Sequence, residues 1–545
     1  MEDNADVRVP VLVVGGSLVG LSTSLFLSRH GVRHLLVEKH SGTSPHPRGR
    51  GINARTMELF RTAGAERAIR QAASVLEGIQ GILQARSLTD RSDHNWLIKS
   101  IDPSGAIARF SPTGWCLCSQ NNIEPVLAAQ SRAQGADVRF STELMSFDQD
   151  ATGVNAVVKD RLTGEHSTVR ADFLIAADGP RSPVREQLRI PQTGNGELFH
   201  NVSVTFRSER LVQVLGDLRF IVCYLMRPGA DGALLPVDNR TQWVFHAPWH
   251  PEQGETLEDF TDERCVDQIR DAIGVPDLDV EIGGKAPWHA AERVAERYSS
   301  GRVFLAGDAA HEMSPTGAFG SNTGIQDAHN LAWKIAAVLD GSAGMGLLET
   351  YEAERLPVAR ATSERASARS AEHSHPGYAP PPTMGGGPGS GVLTTAMGYC
   401  YPSGALVGGE PGRPVIPERL HMVGDTGTRA PHMWLTRAGE RISTLDLYER
   451  SFVLLSGVGS PWRAAAEQVA EELPVRLDAY TIGSGPAADL VQDGGGSDWS
   501  EVHAMSAEGA VLVRPDGFVA WRSEGAVAAP RATLHEVLST VLRRA

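Results

Sequence analysis

Residues 307–334 read GDAAHEMSPTGAFGSNTGIQDAHNLAWK. They follow a short apolar run, Val303-Phe304-Leu305-Ala306, bounded by Gly301 and Gly307. Such a run suits a buried strand. Asp308 then stands at the strand's C-terminal end, where a parallel α/β sheet presents groups to a ligand. Gly317, Gly320 and Gly324 follow, with Pro315 at their head. Glycines let a backbone come close to a flat ligand. From about Ile325 the residues Ile325, Leu331, Ala332, Ile335, Ala336 and Leu339 recur at helical spacing. A helix N-terminus at that point offers free N–H groups and the positive end of a dipole. The stretch therefore suits a flat, polar, electron-accepting ligand.

A second pattern lies at the other end of the chain. Val11-Leu12-Val13-Val14 reads as a buried strand, followed by Gly15-Gly16-Ser17-Leu18-Val19-Gly20 and a helical run to Arg29. Another apolar strand, His34-Leu35-Leu36-Val37, ends at Glu38. This is a βαβ unit with an acidic residue about 20 positions past the glycines, the form of a dinucleotide-binding turn. Glu38 can accept hydrogen bonds from a ribose hydroxyl. Ser17 occupies the place of the second fingerprint glycine, where it either lengthens the approach to a pyrophosphate or turns its hydroxyl onto it. A third strand, Phe173-Leu174-Ile175-Ala176-Ala177, leads into Asp178-Gly179-Pro180-Arg181-Ser182-Pro183-Val184-Arg185.

GGSLVG, DGPRSPVR and GDAAH…P, in this order, resemble the group A FAD-dependent aromatic hydroxylases, the p-hydroxybenzoate hydroxylase type. Within that family the chain is most similar to bacterial hydroxylases of aromatic polyketides of the anthracycline and angucycline kind. PRGRGINARTMELFR at 47–61, GSNTGIQDAHNLAWK at 320–334, YEAERLPVA at 351–359 and RPDGFVAWR at 514–522 carry this narrower likeness. The resemblance spans nearly the whole chain. It implies FAD as cofactor, NAD(P)H as co-substrate with NADPH preferred, and O2 activated as a flavin C4a-hydroperoxide.

The resemblance also assigns roles to residues. Gly15, Gly16, Val19, Gly20, Glu38, Lys39, Arg48, Gln120, Asp178, Asp308, Pro315, Gly317, Ala318, Gly320, Ser321 and Asn322 are expected at the FAD. Arg48 suits the pyrophosphate through charge-assisted hydrogen bonds; without the motif it would read as a surface arginine. The N–H groups around Ser321, Asn322 and Thr323 would face the charge that reduction leaves on the flavin. Asp178 lies either on the FAD and NAD(P)H path or in a structural role, accepting backbone N–H groups. His311 reads as a structural histidine near the flavin. The Pro315 carbonyl is expected to face the substrate. No residue is assigned as a catalytic base.

The expected architecture is α/β: a Rossmann-like FAD-binding domain, an inserted β-sheet substrate domain and a thioredoxin-like α/β domain. The FAD-binding domain is assembled from residues 1–75, 105–185 and 286–372. Within it a helix runs from about Ile123 to Gln134, with Gly135 as its stop. Residues 76–104 and 186–285 form the substrate domain, whose strands are rich in β-branched and aromatic residues. There Tyr224, Trp243, Phe245, His246 and Trp288 either line a substrate pocket or fill a core. Residues 373–399, rich in Pro and Gly, form a linker. Residues 400–545 form the thioredoxin-like domain. A thioredoxin site needs Cys-x-x-Cys after the Phe452–Leu455 strand. The chain has Ser456-Gly457-Val458-Gly459-Ser460 there and no cysteine beyond Cys400, so the domain is redox-inactive.

Composition sets outer limits. The 545 residues allow two to four domains. A net charge of −14 argues against a nucleic-acid surface. No apolar run reaches the length of a membrane span, and the polar start MEDNADVRVP does not read as a signal peptide. Five cysteines form no disulfide or zinc pattern, and Cys116 and Cys118 read as packed thiols. The expectation is therefore a cytoplasmic enzyme, monomer or homodimer, with no metal, that oxygenates a polycyclic aromatic compound in antibiotic biosynthesis. Two rivals stand beside it: a Baeyer–Villiger or oxidative-rearrangement oxygenase on the same scaffold, and a flavin-binding scaffold without turnover.

Overall fold

The computed structural model describes residues 5–102, 104–372, 391–493 and 498–544. Its first sheet is built around Val7–Val14. Five parallel strands run in the order Val303–Leu305, His166–Ala176, Val7–Val14, His34–Val37 and Asp137–Arg139. The inner segments of the first four are buried throughout. A parallel sheet covered on both faces takes such unbroken apolar runs instead of alternation. The helices Leu18–Arg29 and Phe319–Leu339 pack together on this sheet. Register then decides the site. Val14 stands beside both Ala176 and Val37, and Ala176 beside Leu305. Four strands thus end at one level, and Gly15, Glu38, Ala177 and Ala306 open onto a single edge.

The second sheet has eight strands, dominated by Gln192–Arg207 paired along its length with Glu281–Ala295. It continues through Gln242–Trp249, Gly232–Pro236 and Val222–Leu225 to Ile82–Ala85 and Asn95–Ile98. At its other end Val294 pairs with His311, which joins this sheet to the GDAAH loop. The expected boundary at residue 285 falls inside one continuous strand, because Glu281–Ala295 is held by its partner on both sides of that point. One face of the sheet carries Val202, Val204, Phe206, Trp243 and Phe245 and packs on the helix Asp262–Ile273 to form a separate core.

The C-terminal sheet centres on Phe452–Gly457. That strand runs parallel to Leu477–Gly483 across the helix Trp462–Glu472, and antiparallel to Ala510–Val513. A hairpin to Val519–Ser523 and the helix Pro530–Val541 complete a thioredoxin-like order. Of the expected linker, residues 373–390 lie outside the described residues. Val392–Met397 is a short helix, and Ala396 and Met397 are buried against Ala54 and Ile107. Its apolar residues give this end of the segment a packing partner. Among the described residues no helix is long and apolar enough to cross a membrane. All five cysteines are buried and unpaired; burial pushes the Cys116 thiol up to about 11 and Cys118 up to about 12.

Candidate cofactor and substrate site

The fingerprint turn is closed on itself. A Cβ at Gly20 would fall 1.8 Å from the Gly15 carbonyl oxygen, and one at Gly16 would fall 2.7 Å from Glu38 Cβ. The Gly16 N–H donates to Glu38 Oε2 at 2.6 Å, and the His40 N–H donates to Oε1 at 2.8 Å. Ser17 precedes the first helix, but its hydroxyl turns inward. It donates to Glu124 Oε1 at 2.7 Å and accepts from Gln120 Nε2 at 2.9 Å. Its hydroxyl is therefore committed to the protein. Gln120 opens the helix Gln120–Ala133, which begins three residues before the expected Ile123, so its side chain lies at the turn. Lys39 is exposed, and only its carbonyl is engaged, by Arg161. The Val19 side chain abuts Gly307 and Gly324, whose added Cβ atoms would each lie 2.6 Å from Val19 Cγ2. It thereby locks the first turn against the third.

At the middle turn, Asp178 Oδ2 accepts the Val184 N–H at 3.2 Å, while Oδ1 is buried and has no partner among the described residues. Desolvation raises its pKa. One oxygen thus serves the structural role and the other awaits a donor. Arg185 ties this turn to the next, donating to the Ala309 and Pro180 carbonyls at 2.9 and 2.8 Å.

Asp308 reaches solvent, yet the protein crowding around it desolvates the carboxyl and raises its pKa; His311 and Arg48 oppose that shift. Arg48 is exposed; its backbone N–H donates to the His46 carbonyl at 2.8 Å, and its guanidinium makes no hydrogen bond or ion pair with the described residues. His311 is fully buried, with Nε2 2.7 Å from Asp327 Oδ2, while Nδ1 is buried without a partner among the described residues.

The glycine-rich segment departs from expectation in three ways. The Pro315 carbonyl accepts the Ala318 N–H at 3.0 Å, closing a turn in which Gly317 takes φ +96°. Only glycine adopts that angle easily, and one lone pair of the carbonyl is used in the turn. The helix starts at Phe319, not Ile325. Its unpaired N–H groups are those of Phe319, Gly320 and Ser321, because later ones bond within the helix. Finally, Asn322 is a clamp. Its amide donates to the Gly51 and Ala318 carbonyls at 2.8 and 2.6 Å and accepts the Asn53 N–H at 3.0 Å.

The turns therefore present, at the strand ends, unpaired helix N–H groups and a buried carboxylate oxygen without a donor, and the unpaired guanidinium of Arg48 acts on Asp308 from outside them. This set fits a flat cofactor with a pyrophosphate and hydroxyl-bearing linker. Gly320 leaves room for it: a Cβ there would meet only Met313 Cβ, at 3.9 Å.

The second sheet supplies a wall. Trp243 and Phe245 do not belong to it; both are buried in the outer core. Tyr224, His246 and Trp288 lie on the opposite face, set by the pairings Tyr224–Ala233, Ala233–His246, His246–Ser203 and Asn201–Trp288. His246 stacks on Trp288 with ring centroids 5.4 Å apart. Burial pushes Tyr224 up to about 12, so it stays protonated at neutral pH. Two residues of this face had no place in the sequence reading. Asn201 Nδ2 and Ser203 Oγ are buried without partners among the described residues. Their signal was the alternation Asn201, Ser203, Thr205 with Val202, Val204, Phe206.

This geometry is that of a flavoprotein oxygenase, and comparison with known proteins agrees. A family model described as an FAD binding domain matches residues 8–366, and one described as aromatic-ring hydroxylase, C-terminal, matches 424–545. The chain belongs to the FAD-dependent aromatic-ring hydroxylases, enzymes that use NAD(P)H as co-substrate. It groups with their polyketide branch. It is 65% identical, over 98% of its length and 97% of the relative's, to a Streptomyces halstedii protein described as a polyketide hydroxylase. It is 41% identical, over 98% and 97%, to the tetracenomycin A2 monooxygenase-dioxygenase of Streptomyces glaucescens. The crystal structure of aklavinone-11 hydroxylase with FAD and aklavinone superposes with a TM-score of 0.86 at 38% identity, covering 99% of this chain and all of that one.

Proposed function

We propose that this chain inserts one atom of O2 as a hydroxyl on a polycyclic aromatic polyketide, with FAD held along the strand-end edge and substrate held against the inner face of the second sheet. The observation that carries the reading is the occurrence of a carboxylate oxygen without a donor at the strand-end edge together with unpartnered Asn201 and Ser203 on the inner face of the second sheet. Bound FAD would supply the oxygen-activating chemistry, reduced by NAD(P)H, with NADPH the preferred donor.

The chain's own residues bind and orient. Glu38 with Gly15, Gly16 and Gly20 forms the floor for the adenosine half, and Arg48 meets the pyrophosphate. Asp308 and Asp178 Oδ1 accept from the linker hydroxyls. The N–H groups of Phe319, Gly320 and Ser321 face the negative end of the reduced ring. Tyr224, Trp288 and His246 cover an aromatic face of the substrate. The enzyme works in the cytoplasm, in keeping with its five unpaired cysteines, as a monomer or homodimer.

The test is turnover in labelled O2 with anthraquinone, angucyclinone and tetracenomycin-like phenols, read by mass spectrometry. We expect yellow protein whose FAD is released by acid, NADPH oxidation stimulated by substrate, and one labelled oxygen retained as a hydroxyl. A ring-expanded or rearranged product carrying the label would turn the assignment to the oxidative-rearrangement alternative. Protein that takes up no FAD would overturn the site.

A further inference from the structure

Three stretches, 320–334, 351–359 and 514–522, meet in one buried network between the FAD unit and the C-terminal domain. Asp327, Asn330 and Lys334 come from the first, Glu354 and Arg355 from the second, and Arg514 and Asp516 from the third. With Tyr401 and His311, each is at most 2% exposed. Three cations face three anions, so the cluster is balanced in charge, and removal of one member leaves a charge buried without its partner.

The network is continuous. Arg514 grips Glu354 with two nitrogens, at 2.7 and 2.8 Å. Glu354 Oε2 also accepts from Lys334 at 2.8 Å and from Asn330 at 2.7 Å. The Tyr401 hydroxyl stands 3.4 Å from Asn330 Nδ2 and 3.3 Å from Arg355 Nη1. Arg355 Nε donates to Asp327 Oδ1 at 2.7 Å. Asp327 Oδ2 then holds both ends of the 307–311 loop: the Gly307 N–H at 3.3 Å and His311 Nε2 at 2.7 Å. Asp308 lies between those two anchors. The backbone on both sides of Asp308 is thus held by Asp327, whose partner Arg355 in turn contacts Tyr401.

We propose that Arg514 of the C-terminal domain is a positioning residue for the cofactor site, acting through Glu354, Asn330, Tyr401, Arg355 and Asp327 on the loop that carries Asp308. The inference rests on the reading that the strand-end edge holds FAD. The redox-inactive domain thereby takes part in cofactor binding, since it closes the network and holds the loop in its binding form.

The full-length protein is stripped of flavin and titrated with FAD, following fluorescence quenching and the visible circular dichroism of the bound flavin. Arg514→Met should raise the FAD Kd about tenfold or more, the scale of one lost charge-assisted interaction, and change the dichroism. Arg514→Lys should recover part of the loss. Leu490→Ala, in a fully buried position of the C-terminal core, serves as control: thermal stability falls while the Kd stays within about twofold. Should Arg514→Met not fold, Tyr401→Phe decides, because it removes only the hydroxyl between Arg355 and Asn330; a rise of about three- to tenfold is expected. An unchanged Kd in the folded variants overturns the proposal, as does equal weakening by Leu490→Ala. Wild-type protein that binds no FAD instead refutes the reading of the edge.

Discussion

Two glycine-rich turns frame the cofactor edge, and they are glycine-rich for different reasons. At Gly15–Gly20 the protein itself fills the space that a side chain would need, since a Cβ on Gly20 would overlap the Gly15 carbonyl. At the head of the Phe319–Leu339 helix, Gly320 has no such neighbour. The first turn reports how the protein packs on itself. In the second, Gly317 and Gly324 are crowded as well, by Phe319 and Val19, and Gly320 reports a gap that the protein leaves open. A glycine in the sequence does not separate these cases, but the space around it does.

Substitutions can break this contrast. Gly20→Ala should have the largest effect, because backbone would have to move: a loss of about 3 kcal/mol, with little soluble protein, read by thermal unfolding and expression. Near wild-type unfolding would mean that the turn relaxes easily and that the contrast is false. Asp308→Ala comes next and should spare the fold. It removes one charged acceptor, so FAD affinity should fall by roughly 1.5–3 kcal/mol, about 10- to 150-fold; equal FAD dissociation constants would remove Asp308 from the site. Gly320→Ala should have the smallest effect on the protein alone, which should gain up to about 1 kcal/mol from helix propensity. Its FAD Kd should nonetheless rise, because the methyl enters the open space. A more stable variant with unchanged FAD affinity would show that the gap is not used.

The three turns were legible because each is local: an apolar strand run, then glycines and an acid within a few residues. Their meeting on one edge was expected from the resemblance; the register of Val14, Ala176, Val37 and Leu305 provides the physical reason. The start of the helix at Phe319 was not legible. Its N-cap is Ala318 at φ +55°, without a side-chain cap, and Gly320 and Gly324 dilute the apolar period. Nor could sequence tell Trp243 and Phe245 from His246. All three lie on one strand, and which face enters the core depends on partners about 40 residues away. Asn201 and Ser203 were hidden in the same way: a polar residue in a strand reads as solvent-facing until something covers it. The Asp327–Arg355 pair needed the packing of two helices, which no local pattern encodes.

The order of the strands also has a consequence for synthesis. Val7–Val14 leaves the ribosome early, but its neighbour His166–Ala176 comes much later, and Val303–Leu305 follows Val14 by about 290 residues. At roughly 5–20 residues per second, the first strand waits on the order of 15–60 s for the last of this set. For about half of that interval, until His166–Ala176 is made, one of its two edges lacks its final partner; the other is met early by His34–Val37. The strand-end edge can therefore be completed only after more than half of the chain has been made.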